Sequence, residues 1–334
     1  MAGTSTANMD TLIRAELWSN ELKDVLTDDL MAERYVRWLD NFPDGNQLTI
    51  PSVGATLPVR NLQEDQSVQY DTLDTGEFNF SITEYVQTGT YITNKAKQDL
   101  FYSSQLISQF VPKMRRSLAE RLEQDIWKEG QPKTGNPAGY QVAGNLNSIN
   151  GAAHRWVGSD TLNTKRVLGV TDFARALHSL KKANVPQRNL IAVVDPSTEY
   201  YLNTLTNLVN FSNNPRWEGI VESGIARDMN FVKNIYGWDV YTSNRLPKSG
   251  ADQSGASETI GGTASGTDAV CNIFFSADSD IVPYIGAWRQ MPKVEGEYNK
   301  DFQREEYVLT ARYGVKIYRP ENLLTILSDP SAVS

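Results

Sequence analysis

Two histidines and one cysteine, His154, His178 and Cys271, are the side chains best suited to metal or nucleophilic chemistry in this chain. A structural zinc site draws its ligands from closely spaced Cys and His pairs, and these three residues form no such pair. His178 reads as an ordinary half-exposed residue on a helix. His154 reads as a loop residue, with a place at an interface as its alternative. A serine nucleophile needs a positioned turn, yet no G-x-S-x-G elbow occurs and neither histidine has a triad context. GGTASGTDA at 261–269 resembles a phosphate loop but lacks the Gly-Lys-Ser/Thr ending, so it reads as a flexible loop. No G-x-G-x-x-G follows a strand. Glu305 and Glu306 are a carboxylate pair of the kind a glycosidase uses. Adjacent residues of a strand face opposite sides, so the two do not converge on one bond. The reading is therefore no catalytic residue, no cofactor-binding residue, no metal ligand and no enzyme.

The elements that would position such groups point to assembly instead. With 334 residues, 40% apolar and 22% charged, the chain can bury a sizeable core and lies outside the disordered class. One cysteine excludes an internal disulfide framework. A formal charge of −8 argues against general nucleic-acid binding, which needs a net basic face. The opening MAGTSTANMD is small and polar, and no run of apolar residues is long enough to span a bilayer, so neither secretion nor a membrane anchor is expected.

Leu12, Ala15, Trp18 or Leu22, Val25 or Leu26, and Leu30 recur at helical spacings, which predicts helix over most of Thr11–Leu39, with a break near Thr27 as an alternative, stopped by Pro43 and Gly45. LTIPSVG and TLPVRNL then read as extended pieces on an edge or arm. EFNFSITEYVQTGTYIT alternates, with Phe78, Phe80 and Ile82 pointing one way. Together they predict a long hairpin over about 47–92 that needs another surface to lie on.

Ile107, Val111, Met114, Leu118, Leu122 and Ile126 form one apolar stripe, predicting a helix from about Asn94 to Glu129 that is terminated by Gly130. At 1.5 Å per residue it would reach roughly 50 Å. Pro112 is expected to kink or divide it. VTDFARALHSLKKANVP reads as a helix capped by Thr171 or Asp172, NLIAVVDP as a buried strand, and PSTEYYLNTLTNLV as a helix entered at Pro196 with Ser197 as a cap. WDVYTSN, VCNIFFSA, AWRQMPKVEGEYN and QREEYVLTARYGVKIYRP read as strands, the last two joined by a polar turn. Residues 130–158 read as irregular, and 249–269 as an exposed low-complexity loop. Trp18, Trp38, Trp127, Trp217, Trp238 and Trp288 are candidate core residues. The class is α+β, with protruding elements that need neighbours to cover them.

In this order the segments resemble the major capsid protein of tailed bacteriophages, with the Hong Kong 97-like fold. ELWSNELKDVLTDDL resembles its N-terminal arm, and LTIPSVG through FNFSITEY its extended loop. LAERLEQDIWKEG is similar to its spine helix, with Asp125 about a turn before Gly130. LIAVVDPSTEYYL and NIYGWDVYTSNRLP resemble steps of its axial domain, and YVLTARYGVKIYRPENLLTI its closing segment. The resemblance implies an arm at 1–46 and an extended loop at 47–92. It implies a peripheral domain at 93–158 and 286–313, including a spine helix at 94–129, and an axial domain at 159–285 and 314–334. It further implies a viral structural protein that self-assembles into pentamers and hexamers of an icosahedral head enclosing double-stranded DNA. Assembly would run through a procapsid in the host cytoplasm, with the virion capsid as its final location. The expected partners are other copies of itself, a separate scaffolding protein, a portal protein and a cement or decoration protein, with DNA enclosed without sequence-specific contacts and no membrane. The alternatives are an encapsulin-like shell of a cellular nanocompartment, told apart by an enzyme cargo, and a soluble enzyme, told apart by a deep polar pocket.

Charge adds a docking expectation. Between Pro43 and Asn94 lie Asp44, Glu64, Asp65, Asp71, Asp74, Glu77 and Glu84, against Arg60 alone. Lys113, Arg115, Arg116 and Arg121 cluster on the following helix. The resemblance lays the loop over a neighbouring subunit, so the acidic loop is expected to meet that basic surface, with Phe78, Phe80 and Ile82 supplying adhesion. Some relatives weld this loop to a neighbour through a loop lysine. No lysine occurs here between Lys23 and Lys95, so a non-covalent shell is expected.

Overall fold

A computed structural model describes residues 30–39, 47–53, 59–61, 64, 67, 70–72, 75–99, 103–129, 148–163, 165–205, 234–247 and 270–332. The helix expected before residue 30, Trp18, Trp217 and the loop 249–269 lie outside these residues. The first half of the described chain holds β1 (Val36–Leu39), β2 (Gln47–Val53), β3 (Thr75–Ser81), β4 (Glu84–Thr93), α1 (Asn94–Asp99) and α2 (Ser103–Glu129). Short strands follow: β5 (Ser148–Ile149), β6 (Ala152–Ala153), β7 (Arg155–Val157), β8 (Asp160–Leu162) and β9 (Lys165–Val167). Then come α3 (Val170–Lys182), β10 (Leu190–Val194), α4 (Pro196–Thr204), β11 (Asn234–Ile235), β12 (Trp238–Thr242) and β13 (Val270–Ser276). The chain closes with β14 (Tyr284–Asn299), β15 (Arg304–Ile317) and β16 (Leu324–Ser328).

A six-stranded mixed sheet runs in the order β11-β12-β10-β13-β16-β7. Its central strands are buried on both faces, which is why LIAVV reads as a continuous apolar run. Ile191, Val193, Ile273 and Phe275 share one cluster with Ile126 and Trp127 of α2. The alternate residues Leu190, Ala192, Val194 and Phe274 pack with Phe173 and Leu180 of α3 and Leu202 of α4. A four-stranded sheet, β1-β14-β15-β4, has α2 against it through Met114, Leu118 and Leu122. Trp127, Trp156 and Trp238 are buried, while Trp38 and Trp288 stack at 5.2 Å.

Several expectations are corrected by local physics. The cap of α3 is Gly169 rather than Thr171 or Asp172. Residues 148–157, within the stretch before Gly158 that reads as irregular, hold β5, β6 and β7. Helix does not continue to Leu39: a short 3-10 turn at Ala32–Tyr35 leads into β1, which pairs parallel with β14. The pairing gives Val36–Leu39 backbone partners that an isolated helix end would lack. The hairpin is β2 with β3 only, in register from Gln47↔Ser81 to Val53↔Thr75. After Ile82 and Thr83 the chain turns, and β4 joins β15 instead. Pro112 lies inside α2, which continues through it. Pro112 is exposed there, so the carbonyl left without its helical donor can be solvated. The cap of α4 is Asp195, whose Oδ2 accepts from Ser197 N–H at 2.9 Å, rather than Ser197 itself.

Candidate functional site

Each residue singled out for chemistry has a structural occupation. His154 is buried rather than in an open loop, with Nδ1 3.1 Å from Ala152 O and Nε2 3.3 Å from Glu321 O. Burial holds its imidazole below the ordinary 6.5 and outweighs the two carbonyls, which act the other way. His178 is exposed on α3. Cys271 is wholly buried in β13 against Val157 and Leu327. Glu305 accepts from Lys97 Nζ at 2.7 Å and Tyr307 OH at 3.2 Å. Glu306 accepts from Arg304 Nε at 2.6 Å and Asn299 Nδ2 at 3.1 Å. The two carboxylates thus take separate partners, as strand alternation requires. Their pKa values fall below the usual range, chiefly through the hydrogen bonds from Lys97 and Arg304 respectively. Among the described residues no group of three His, Cys, Asp or Glu is placed to hold a metal, and no helix is long and apolar enough to cross a membrane.

Carboxylates instead tie elements together. Glu123, 2% exposed, accepts from Met31 N–H at 2.9 Å, Trp127 Nε1 at 3.3 Å and Ser243 Oγ at 3.3 Å. It joins the described start of the chain, α2 and the end of β12. Asp172 in the first turn of α3 accepts from Gly169 N–H, Ser159 N–H and Trp156 Nε1, all within 3.0 Å. Asp125 accepts from Tyr313 OH at 2.7 Å and pairs with Arg121 at 3.0 Å. Tyr313 is pushed far above its ordinary pKa, first by burial and then by that hydrogen bond. Only Asp172 and Asp125 drew notice in the sequence. Glu123 gave no signal beyond being a carboxylate next to the apolar stripe at Leu122.

The surfaces have a different chemistry. Phe80 and Ile82 are buried in the chain's own cluster with Ile285 and Ala287, and Phe78 packs on Tyr318 at 5.2 Å. They are therefore not the expected adhesive face for a neighbour: the hairpin base is clamped to its own subunit. Farther along the same arm, Val59 and Tyr70 are 100% and 92% exposed. On the four-stranded sheet Tyr85, Tyr91 and Val308 stand exposed. The guanidinium of Arg304 lies 4.4 Å from the Tyr91 ring centre. The basic cluster on α2 is partly neutralised within the chain, since Arg116 pairs with Glu120 at 3.0 Å and Arg121 with Asp125.

Exposed apolar side chains of this kind suit a subunit that meets other proteins. A family model described as phage capsid protein matches residues 77–326, well over half of the chain. The chain belongs to the phage capsid protein family. The resemblance to the major capsid proteins of tailed bacteriophages is borne out, and the chain is a capsid shell subunit with an α+β capsid fold. The capsid structure of cyanophage P-SCSP1u is 16% identical with a TM-score of 0.69, covering 97% of this chain and 94% of that one. The cyanophage Pam1 capsid asymmetric unit is 15% identical with a TM-score of 0.68 over 99% of each chain. The mature capsid of bacteriophage PhiM1 is 12% identical with a TM-score of 0.67, covering 96% and 94%. At these identities what is shared is the fold. No curated protein matches the sequence. The capsid protein keeps that fold while its pairwise identity stays low because two-sided strand burial and the α2 stripe constrain residue class more than residue identity.

Proposed function

We propose that this capsid protein assembles into pentamers and hexamers of an icosahedral head that encloses double-stranded DNA. Assembly proceeds in the host cytoplasm with a separate scaffolding protein, a portal and, on the finished shell, a cement protein. Residues 1–46 serve as an arm, and 47–81 supply the extended loop. The four-stranded sheet with α2 forms the peripheral domain. The six-stranded sheet, including β7, forms the axial domain.

The observation that carries this reading is the contrast along one arm. Phe80 is wholly buried in its own subunit, whereas Val59 and Tyr70 have no cover of their own. Large apolar groups left exposed to water carry a cost, which burial against a neighbour removes. No lysine lies between Lys23 and Lys95 to form an isopeptide bond from the loop. The one cysteine is buried, which withholds it from intersubunit disulfides. Mature shells boiled in detergent should therefore release a single subunit band. A ladder of larger bands that survives reducing agent would contradict non-covalent assembly.

A further inference from the structure

Asn150–Gly151 is the only Asn-Gly pair in the chain. It forms the two-residue turn between β5 and β6, whose ladder is Ser148↔Ala153 and Ile149↔Ala152. Both residues are left-handed, with φ of 49° at Asn150 and 77° at Gly151. A turn of this kind matches the twist of a hairpin and selects this pair of residues, so the pair has a structural reason to be there. The same two residues also hold a reactive juxtaposition.

The carboxamide of Asn150 is followed directly by the backbone nitrogen of Gly151, the spacing that closes a five-membered ring. Any other residue type would set a Cβ beside that nitrogen. Glycine sets none, and nothing lies within 4 Å of where its Cβ would be. Both residues are exposed, so water and hydroxide reach them. The Gly151 N–H belongs to the turn and not to the strand pairs of the ladder. One bond holds the carboxamide in place: its Nδ2 donates to Lys182 O at 2.8 Å. Lys182 is the last residue of α3, so this carbonyl belongs to the negative end of the helix dipole.

We propose that Asn150 is a site of spontaneous deamidation, and that its product unlatches the β5–β6 turn from the end of α3. The Gly151 nitrogen gives its proton to hydroxide and attacks Cγ of Asn150. The N–Cγ bond forms and the Cγ–Nδ2 bond breaks. Nδ2 takes a proton from water, which restores the hydroxide, and leaves as ammonia. A second water then opens the succinimide at either carbonyl, giving isoaspartate or aspartate. Either product exchanges a donor for an ionised carboxylate, which only accepts. Lys182 O then faces an acceptor, and the new charge stands at the unfavourable end of the dipole. The Lys181 and Lys182 side chains are exposed, so the offset they bring is small. Each subunit thereby carries a slow covalent clock whose end point is a freed turn.

Peptide mass mapping of the full chain, after incubation in mildly alkaline buffer, tests the chemistry. Position 150 should convert about tenfold faster than any other asparagine, with isoaspartate in excess over aspartate as the mark of the ring intermediate. An Asn150 that stays intact overturns the proposal, and so does conversion to aspartate alone. Two variants test the consequence without ageing. Asn150→Asp places the carboxylate directly. Asn150→Gly keeps the left-handed turn and removes the same hydrogen bond without adding charge. The amides of Ile149 and Ala152, which close the turn, should exchange about threefold faster in Asn150→Asp than in Asn150→Gly. Equal exchange in the two, both folded by circular dichroism, overturns the unlatching.

Discussion

Glu123 is a buried carboxylate on which three separate segments of the chain converge. Three donors from three segments share one buried carboxylate, so removing it strands all three. Glu123→Ala should cost the free subunit about 3 kcal/mol in denaturant unfolding, since orphaned buried donors cost about 1–3 kcal/mol each and partial relaxation offsets some of that. A loss below about 0.5 kcal/mol would show that water replaces the carboxylate at no cost. His154 gives a second test, with a definite sign. Its folded pKa lies below the ordinary 6.5, so as pH falls the unfolded chain binds the proton first and the native state loses stability. His154→Gln should therefore flatten the fall in stability between about pH 7 and pH 5; an unchanged slope would mean that other groups set it. Neither role was legible in the sequence. A buried Glu next to an apolar stripe and a histidine in a glycine-rich stretch each take part of their meaning from a partner more than 90 residues away.

At the scale of elements the sequence was more informative, because periodicity is local. The α2 stripe, the buried LIAVV strand and the long pair β14–β15 are where alternation and spacing put them. β1 and β4 were misread because their pairing partners lie far along the chain. Val36–Leu39 follows a helical pattern and yet finds β14, and β4 continues the alternation of β3 and yet joins another sheet. The seat of β1 is narrow. A Cβ added at Gly286 would lie 2.7 Å from the Trp38 ring and 2.9 Å from Val36. Gly286→Ala should push Trp38 off Trp288 and free β1. Its amides would then exchange at least about tenfold faster, with loss of the exciton signal of the stacked indoles. Retained protection in Val36–Leu39 would show that the strand can shift as a unit.

At the scale of the whole molecule, the order of segments pointed to the capsid fold before any single motif did, and the family match bears that out. The assembly surfaces were harder to read. Which apolar residues remain uncovered depends on the finished tertiary packing: Phe78, Phe80 and Ile82 have the same alternation whether they face a neighbour or their own β14. The central claim is that this chain is a shell subunit that assembles with other copies of itself. Electron microscopy of the purified protein, expressed alone and together with the products of its neighbouring genes, tests it most directly. The account predicts closed round particles of uniform diameter containing this chain as the main component. Only monomers or dimers, under every one of those expression conditions, would contradict it.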